Sequence, residues 1–201
     1  MASVVRPYRG VSAEDRTRER RERLIDASLD VVSESGIAAA TVEAIAGHAG
    51  LSKRYFYESF RDRDEILVAA LDSVFEPMGA RLRSALADGG STDDRVAVTA
   101  ATLVHTLADD PRATRLFLAA PGSAALEARR RHLVDEFTPA LMRDVLDADP
   151  DDARRMMATT LMVAGTTEVL DRWLRGDLPL SREEFTDTLA MLGRRLAAAP
   201  D

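Results

Sequence analysis

The sequence predicts an all-α fold: a three-helix N-terminal unit containing a helix-turn-helix, followed by a larger helical bundle, with about nine helices in total. Three observations carry this. Apolar residues recur in steps of three and four along most of the 201 residues, and no long strand pattern, internal repeat or low-complexity tract interrupts them. Serine, threonine or aspartate before a run, and glycine after it, divide that pattern into pieces of helical length. Residues 41–60, TVEAIAGHAGLSKRYFYESF, fit two short helical patterns around a single glycine turn.

Residues 1–13 lack any period and include Pro7 and Gly10, so they read as a flexible arm. Arg6 and Arg9 leave open whether the arm is a disordered tail or lies along a DNA groove. From about Glu14 a helix runs to Ser35-Gly36, with Leu24, Ile25, Ala27, Leu29, Val31 and Val32 on a broad apolar face. Its first turns, RTRERRER, alternate in sign and read as a solvated face with internal ion pairs, or alternatively as a phosphate-contacting one.

Thr41 is placed to cap a helix whose apolar positions are Val42, Ile45, Ala46 and Ala49, and Gly50 supplies the positive φ that stops it. A second helix starts at Ser52, whose hydroxyl can cap it. Phe56 and Phe60 fall four apart on its inner face, leaving Lys53, Arg54, Tyr55 and Tyr57 outward. Such an outer face suits a DNA groove. His48 reads as a surface or capping histidine.

Asp62 and Glu65 then fit a capping box before a linking helix with Ile66, Leu67, Leu71 and Phe75, interrupted at Pro77 and ended by Gly89-Gly90. Ser91 and Asp94 open another helix, central in character, through Val96, Leu103, Val104 and Leu107. A short helix starts at Pro111. Ser123 restarts the chain into a long helix through Leu126, Leu133 and Phe137, where Pro139 predicts a kink. The aspartates at 147, 149, 151 and 152 resemble the opening of a calcium loop, but Asp152 stands where such a loop needs glycine and Ala158 where it needs glutamate. Capping of the next helix is the better reading. That helix closes at Gly176, and Ser181 with Glu184 starts the last one.

Composition excludes several chemistries. There is no cysteine, which removes disulfides, cysteine zinc sites, iron-sulfur clusters and thiol nucleophiles, and a reducing cytoplasm is expected. No apolar run approaches the roughly 20 residues that span a bilayer, and no secretory signal opens the chain, so a soluble protein without membrane partner is expected. His48, His105 and His132 lack metal-ligand spacing and no phosphate-type glycine loop occurs, so neither a catalytic site, a metal nor a cofactor is expected. The net charge of -7 is unlike a DNA binder until it is located: residues 1–64 hold 11 basic and 11 acidic side chains, whereas residues 65–201 hold 16 and 23.

The order T-x-x-x-I-A-x-x-A-G-L-S followed by F-Y-x-x-F resembles the DNA-binding domain of the TetR (tetracycline-repressor) family of bacterial regulators. Thr41, Ile45, Ala46, Ala49, Gly50, Ser52, Phe56, Tyr57 and Phe60 carry the likeness, which is close over about residues 20–67 and architectural beyond. It implies an arm at 1–13, a DNA-binding domain at 14–61 and a ligand-binding and dimerisation domain at 62–201. It implies a homodimeric, ligand-responsive repressor on a palindromic operator, with an unidentified small-molecule inducer, acting at the bacterial nucleoid. Thr41 and Tyr57 would donate to phosphates and Lys53, Arg54 and Tyr55 would face the bases, with Ser52 and Arg63 also in the DNA-binding set. Arg63 replaces the usual lysine, and Ser59 the usual histidine or tyrosine. Expected pocket residues are Phe75, Met78, Leu103, His105, Leu107, Phe117, Phe137, Met142, Met162 and Trp173, with His105 singled out because it interrupts an apolar helix. Expected dimer-interface residues are Met156, Thr160, Val163, Thr167, Leu170, Leu174, Phe185, Leu189, Leu192 and Leu196. The competing readings are a helical interaction protein with an architectural helix-turn-helix, and an enzyme.

Overall fold

A computed structural model describes residues 13–87 and 89–198. The arm expected at 1–13 therefore lies outside the described residues except for Ala13, with which the first helix begins. The described residues form nine α-helices: α1 (Ala13–Ser35), α2 (Val42–His48), α3 (Lys53–Ser59), α4 (Arg63–Ala87), α5 (Thr92–Ala108), α6 (Pro111–Ala119), α7 (Ala124–Asp144), α8 (Ala153–Arg175) and α9 (Arg182–Ala197). Single 3-10 turns precede α2 and follow α6. None of the described helices is long and apolar enough to cross a membrane.

Local signals set most helix ends. Thr41 Oγ1 accepts from the Ala44 amide, Asp152 accepts from the Arg154 and Arg155 amides, and Ser91/Asp94 and Ser181/Glu184 form complete capping boxes. Hydrogen bonds from Ser91 and Ser181 hold the Asp94 and Glu184 carboxyls below their ordinary range, so their capping contribution is present at neutral pH and is lost as acid protonates them. Gly50 (φ 64°) and Gly176 (φ 86°) take the left-handed conformation at helix ends. Two expectations are corrected. Ser52 occupies the N-cap position of α3 but its hydroxyl makes no capping bond. Pro77 does not interrupt α4, which runs through it, because a proline removes only one internal hydrogen bond while buried neighbours such as Phe75 and Met78 fix the helix on either side; α7 likewise continues through Pro139.

One apolar core joins the two ends of the chain. Leu24, Ile45, Phe56 and Phe60 from the N-terminal unit are continuous with Ile66, Leu67 and Leu71 of α4, and through them with Val104, Leu116, Leu126, Leu170 and Phe185. A satellite cluster of Val96, Val145 and Leu146 takes up Leu196. The last helix packs chiefly on α5 and α8 chiefly on α7, so α8 and α9 meet each other only lightly.

The α9 backbone comes close to α5 at Gly193, where a Cβ would lie 2.6 Å from Val96 Cγ1. Gly193→Ala is therefore expected to destabilise by about 1–3 kcal/mol through overpacking, against the roughly 1 kcal/mol that alanine normally gains over glycine in a helix. Adding Val96→Ala should recover part of the loss in urea unfolding, which measures the coupling directly.

Candidate DNA interface and effector cavity

The outer surface of the helix-turn-helix is built on a fully buried wedge. Phe56 is 0% exposed and Phe60 2%, with ring centroids 5.8 Å apart, and they turn the other side of α3 to solvent. On that side Tyr55 and Tyr57 are 40% and 59% exposed, large for aromatic rings on a folded surface, and Ser52, Lys53 and Arg54 are exposed with them. Lys53 Nζ pairs with Glu43 at 2.9 Å and Arg54 Nε with Glu58 at 3.1 Å, so both cations are held in place by exposed partners. Thr41 is exposed as well. Its oxygen accepts the Ala44 amide at 3.1 Å, which leaves its O–H hydrogen to donate elsewhere.

Three arginines of α1 brace this surface, a role not evident in the alternating RTRERRER pattern. Arg21 donates to the Ser59 carbonyl at 2.9 Å and stacks 4.2 Å from the Phe60 ring centroid. Arg23 donates to the Ala49 carbonyl, and the Arg20 guanidinium lies 4.9 Å from the Tyr55 ring centroid. Arg63, expected in the DNA-binding set, is engaged within the chain. Its Nε donates to the Ala40 carbonyl at 2.8 Å and its Nη2 to the Ile37 carbonyl, so it ties the turn before α2 to the start of α4. An arginine at a helix N-terminus beside free carbonyls satisfies them in preference to reaching solvent.

Behind this unit, α4 to α9 line a half-open cavity of about 940 Å³, at the upper end of small-molecule sites. Of the expected pocket residues, Phe75, Met78, Leu103, Phe117, Phe137 and Met162 line it. His105 does not. It is exposed, with Nδ1 2.7 Å from the Ala101 carbonyl of its own helix, which meets its polar demand locally. Leu107 and Met142 are fully buried in packed core, and Trp173 stacks on Phe185 at 4.7 Å while its indole donates to the Leu180 carbonyl.

The expected interface stripe is uneven in exposure. Leu170 and Phe185 are 1% and 3% exposed and belong to the chain's own core, so a partner cannot reach them; Thr160 and Leu192 are exposed and the remainder half-buried. A stripe at helical spacing marks an apolar face without saying which neighbour covers it. The large apolar side chains left exposed on α8 and α9 are Met157, Leu161, Val169 and Leu192, and the last three also line the cavity.

A polar junction connects the two regions. Arg112, at the start of α6, reaches Asp26 at 2.8 Å and Asp30 at 3.0 Å on α1, and Asp110 at 3.4 Å. These carboxylates, Asp30 foremost, raise the guanidinium further above its ordinary range. Asp30 in turn lies 3.4 Å from His48 Nε2 in α2. The sequence held a signal for this: Asp26 and Asp30, four apart in the otherwise apolar second half of α1.

A three-helix unit that presents an exposed, cation-bearing α3, joined by a shared helix to a domain with a half-open apolar cavity, is the arrangement of a helix-turn-helix transcriptional regulator. Residues 24–70 match the family model of the tetR family of bacterial regulatory proteins. The chain is similar to the HTH-type transcriptional repressor KstR of Mycolicibacterium smegmatis, 28% identical over 161 residues that span 78% of each chain. The KstR repressor of Rhodococcus jostii is 27% identical over 149 residues, 72% of this chain and 68% of that one. Among solved structures, the multidrug binding protein EbrR complexed with imidazole matches with a TM-score of 0.65 at 26% identity, covering 90% of this chain and 97% of that chain. A regulator from Syntrophomonas wolfei reaches a TM-score of 0.75 at 16% identity over 90% and 96% of the two chains, a likeness of fold.

Proposed function

We propose that this regulator is a ligand-responsive repressor that acts in the cytoplasm on a palindromic operator, as a homodimer placing its two α3 helices in successive major grooves about 34–36 Å apart. Repressor is the role named for the KstR relatives. Lys53, Arg54 and Tyr55, with Ser52, face the bases, where arginine can grip guanine through two hydrogen bonds; Thr41 and Tyr57 donate to phosphates. The observation that carries the reading is α4, which begins beside the helix-turn-helix and then walls the cavity through Phe75, Met78 and Leu82. The α6 helix repeats the design: Phe117 lines the cavity and Arg112 holds α1. A ligand that prefers the arrangement in which the two α3 helices are wrongly spaced releases the DNA, to the extent of that preference.

Dimerisation through α8 and α9 accounts for their exposed apolar residues. It also covers the side of the cavity at which Leu161, Val169 and Leu192 are exposed, so ligand and dimer geometry share a wall. Met157 is 63% exposed and does not line the cavity, which makes it the cleanest test. Met157→Asp is expected to give a monomer in sedimentation and to weaken operator binding by about 10²-fold or more, since engagement of the second half-site is no longer intramolecular. A Met157→Asp protein that sediments as a dimer and binds like wild type would contradict the assigned face.

A further inference from the structure

We propose that the cavity takes an elongated apolar molecule ending in one anionic group, a carboxylate or a phosphate, and that Arg83 on α4 reads that group. The inference rests on the effector-site reading above and deepens it. It follows from an account of every charged side chain on the cavity wall. Arg130 is paired with Glu127 at 3.0 Å and lies 5.8 Å from the Phe117 ring centroid. Arg143 is paired with Asp144 at 3.0 Å. The hydroxyls of Thr99, Thr102 and Thr167 donate to carbonyls of their own helices. Arg83 is the remaining cation of the lining, and among the described residues its guanidinium has no hydrogen bond or ion pair.

Its position is also prepared. Gly79, one turn earlier on α4, lines the cavity, and a Cβ there would stand 3.3 Å from Arg83 Nη1. The absent side chain lets the guanidinium lie back along the helix beside the cavity. Arg83 is exposed, as are Ala87, Arg143 and Asp144 of the same lining, whereas Phe75, Phe117 and Leu133 of the wall are buried. A polar head beside the exposed Arg83 meets water while an apolar body lies against the buried wall. A guanidinium offers parallel donors to either a carboxylate or a phosphate, and charge-assisted pairs of this kind are the stronger ones.

The test uses full-length wild-type protein and Arg83→Gln, with sodium laurate, dodecyl phosphate and 1-dodecanol as probes below their micelle-forming concentrations. Binding is read by calorimetry, and release of operator DNA is followed in parallel. At least one anion is expected to bind wild type about tenfold or more tightly than dodecanol, and Arg83→Gln to remove that margin while leaving dodecanol affinity unchanged. Whichever anion shows the larger margin identifies the head group. Dodecanol binding wild type as tightly as both anions, or anion affinity unchanged in Arg83→Gln, overturns the proposal; operator release by dodecanol would then show that the effector reading survives it. Binding of none of the three also overturns it, and a thermal-shift panel of neutral apolar compounds decides separately whether the effector reading stands.

Discussion

Replacing Phe56 by alanine is expected to destabilise the protein by about 3–5 kcal/mol and to abolish operator binding. The ring is fully buried in the core that α1, α2 and α3 share, in edge contact with Tyr57 (5.5 Å) and tilted against Phe60 (5.8 Å). Truncation removes the transfer free energy of the ring and leaves a hole whose lining loses its packing partners, and a unit of three helices has little slack with which to close it. The loss is a large part of the roughly 5–15 kcal/mol that holds a domain of this kind folded. The adjacent residue provides the control. Tyr57 is 59% exposed, so Tyr57→Phe should leave the urea midpoint within experimental error of wild type and weaken DNA binding only by one phosphate hydrogen bond. Urea unfolding and gel shifts on the two variants separate a residue that builds α3 from one that uses it.

The second large effect is expected from Lys53→Ala combined with Arg54→Ala. Both cations are exposed and paired with exposed acids, Lys53 with Glu43 and Arg54 with Glu58, and such pairs contribute about 0–1 kcal/mol. Stability should therefore barely change. Operator affinity should fall by about 1–3 kcal/mol for each base interaction removed, in each half of the dimer. Any of these side chains that meets a phosphate instead should lower the salt slope by about 0.9 per phosphate. The design matters more here than in a basic protein. Lys53 is the chain's single lysine and the net charge is -7, so little other attraction to DNA is available to compensate. A double variant that melts like wild type and binds like wild type would remove α3 from the interface.

Helix boundaries were legible in the sequence because they are decided within three or four residues. The Ser91/Asp94 and Ser181/Glu184 boxes, Thr41, Gly50 and Gly176 all act where their local chemistry places them. The inward Phe56 and Phe60, with Tyr55 and Tyr57 outward, follow from helical spacing alone. What spacing could not decide was which neighbour an apolar face would meet. Leu170 and Phe185 share a period with exposed Thr160 and Leu192, yet the first two are consumed by the core. His105 interrupts an apolar helix, but a carbonyl four residues back satisfies it, so polarity in an apolar run did not signal a ligand. Arg63 and Arg112 show the limit for charges. Long side chains take partners 23 to 86 residues away, at Ala40, Ile37, Asp30 and Asp26, and those distances exist only in the folded chain. The cavity is likewise a product of how six helices are spaced, and no single helix encodes it.

Selection of DNA bound by the wild-type protein from a random duplex library, followed by a salt titration on the enriched site, tests the central claim most directly. The account predicts a two-fold symmetric site with half-site centres about one helical turn apart and an affinity whose logarithm falls linearly with the logarithm of salt concentration. Enrichment of no symmetric site, with binding that is weak and equal on all sequences, would contradict it.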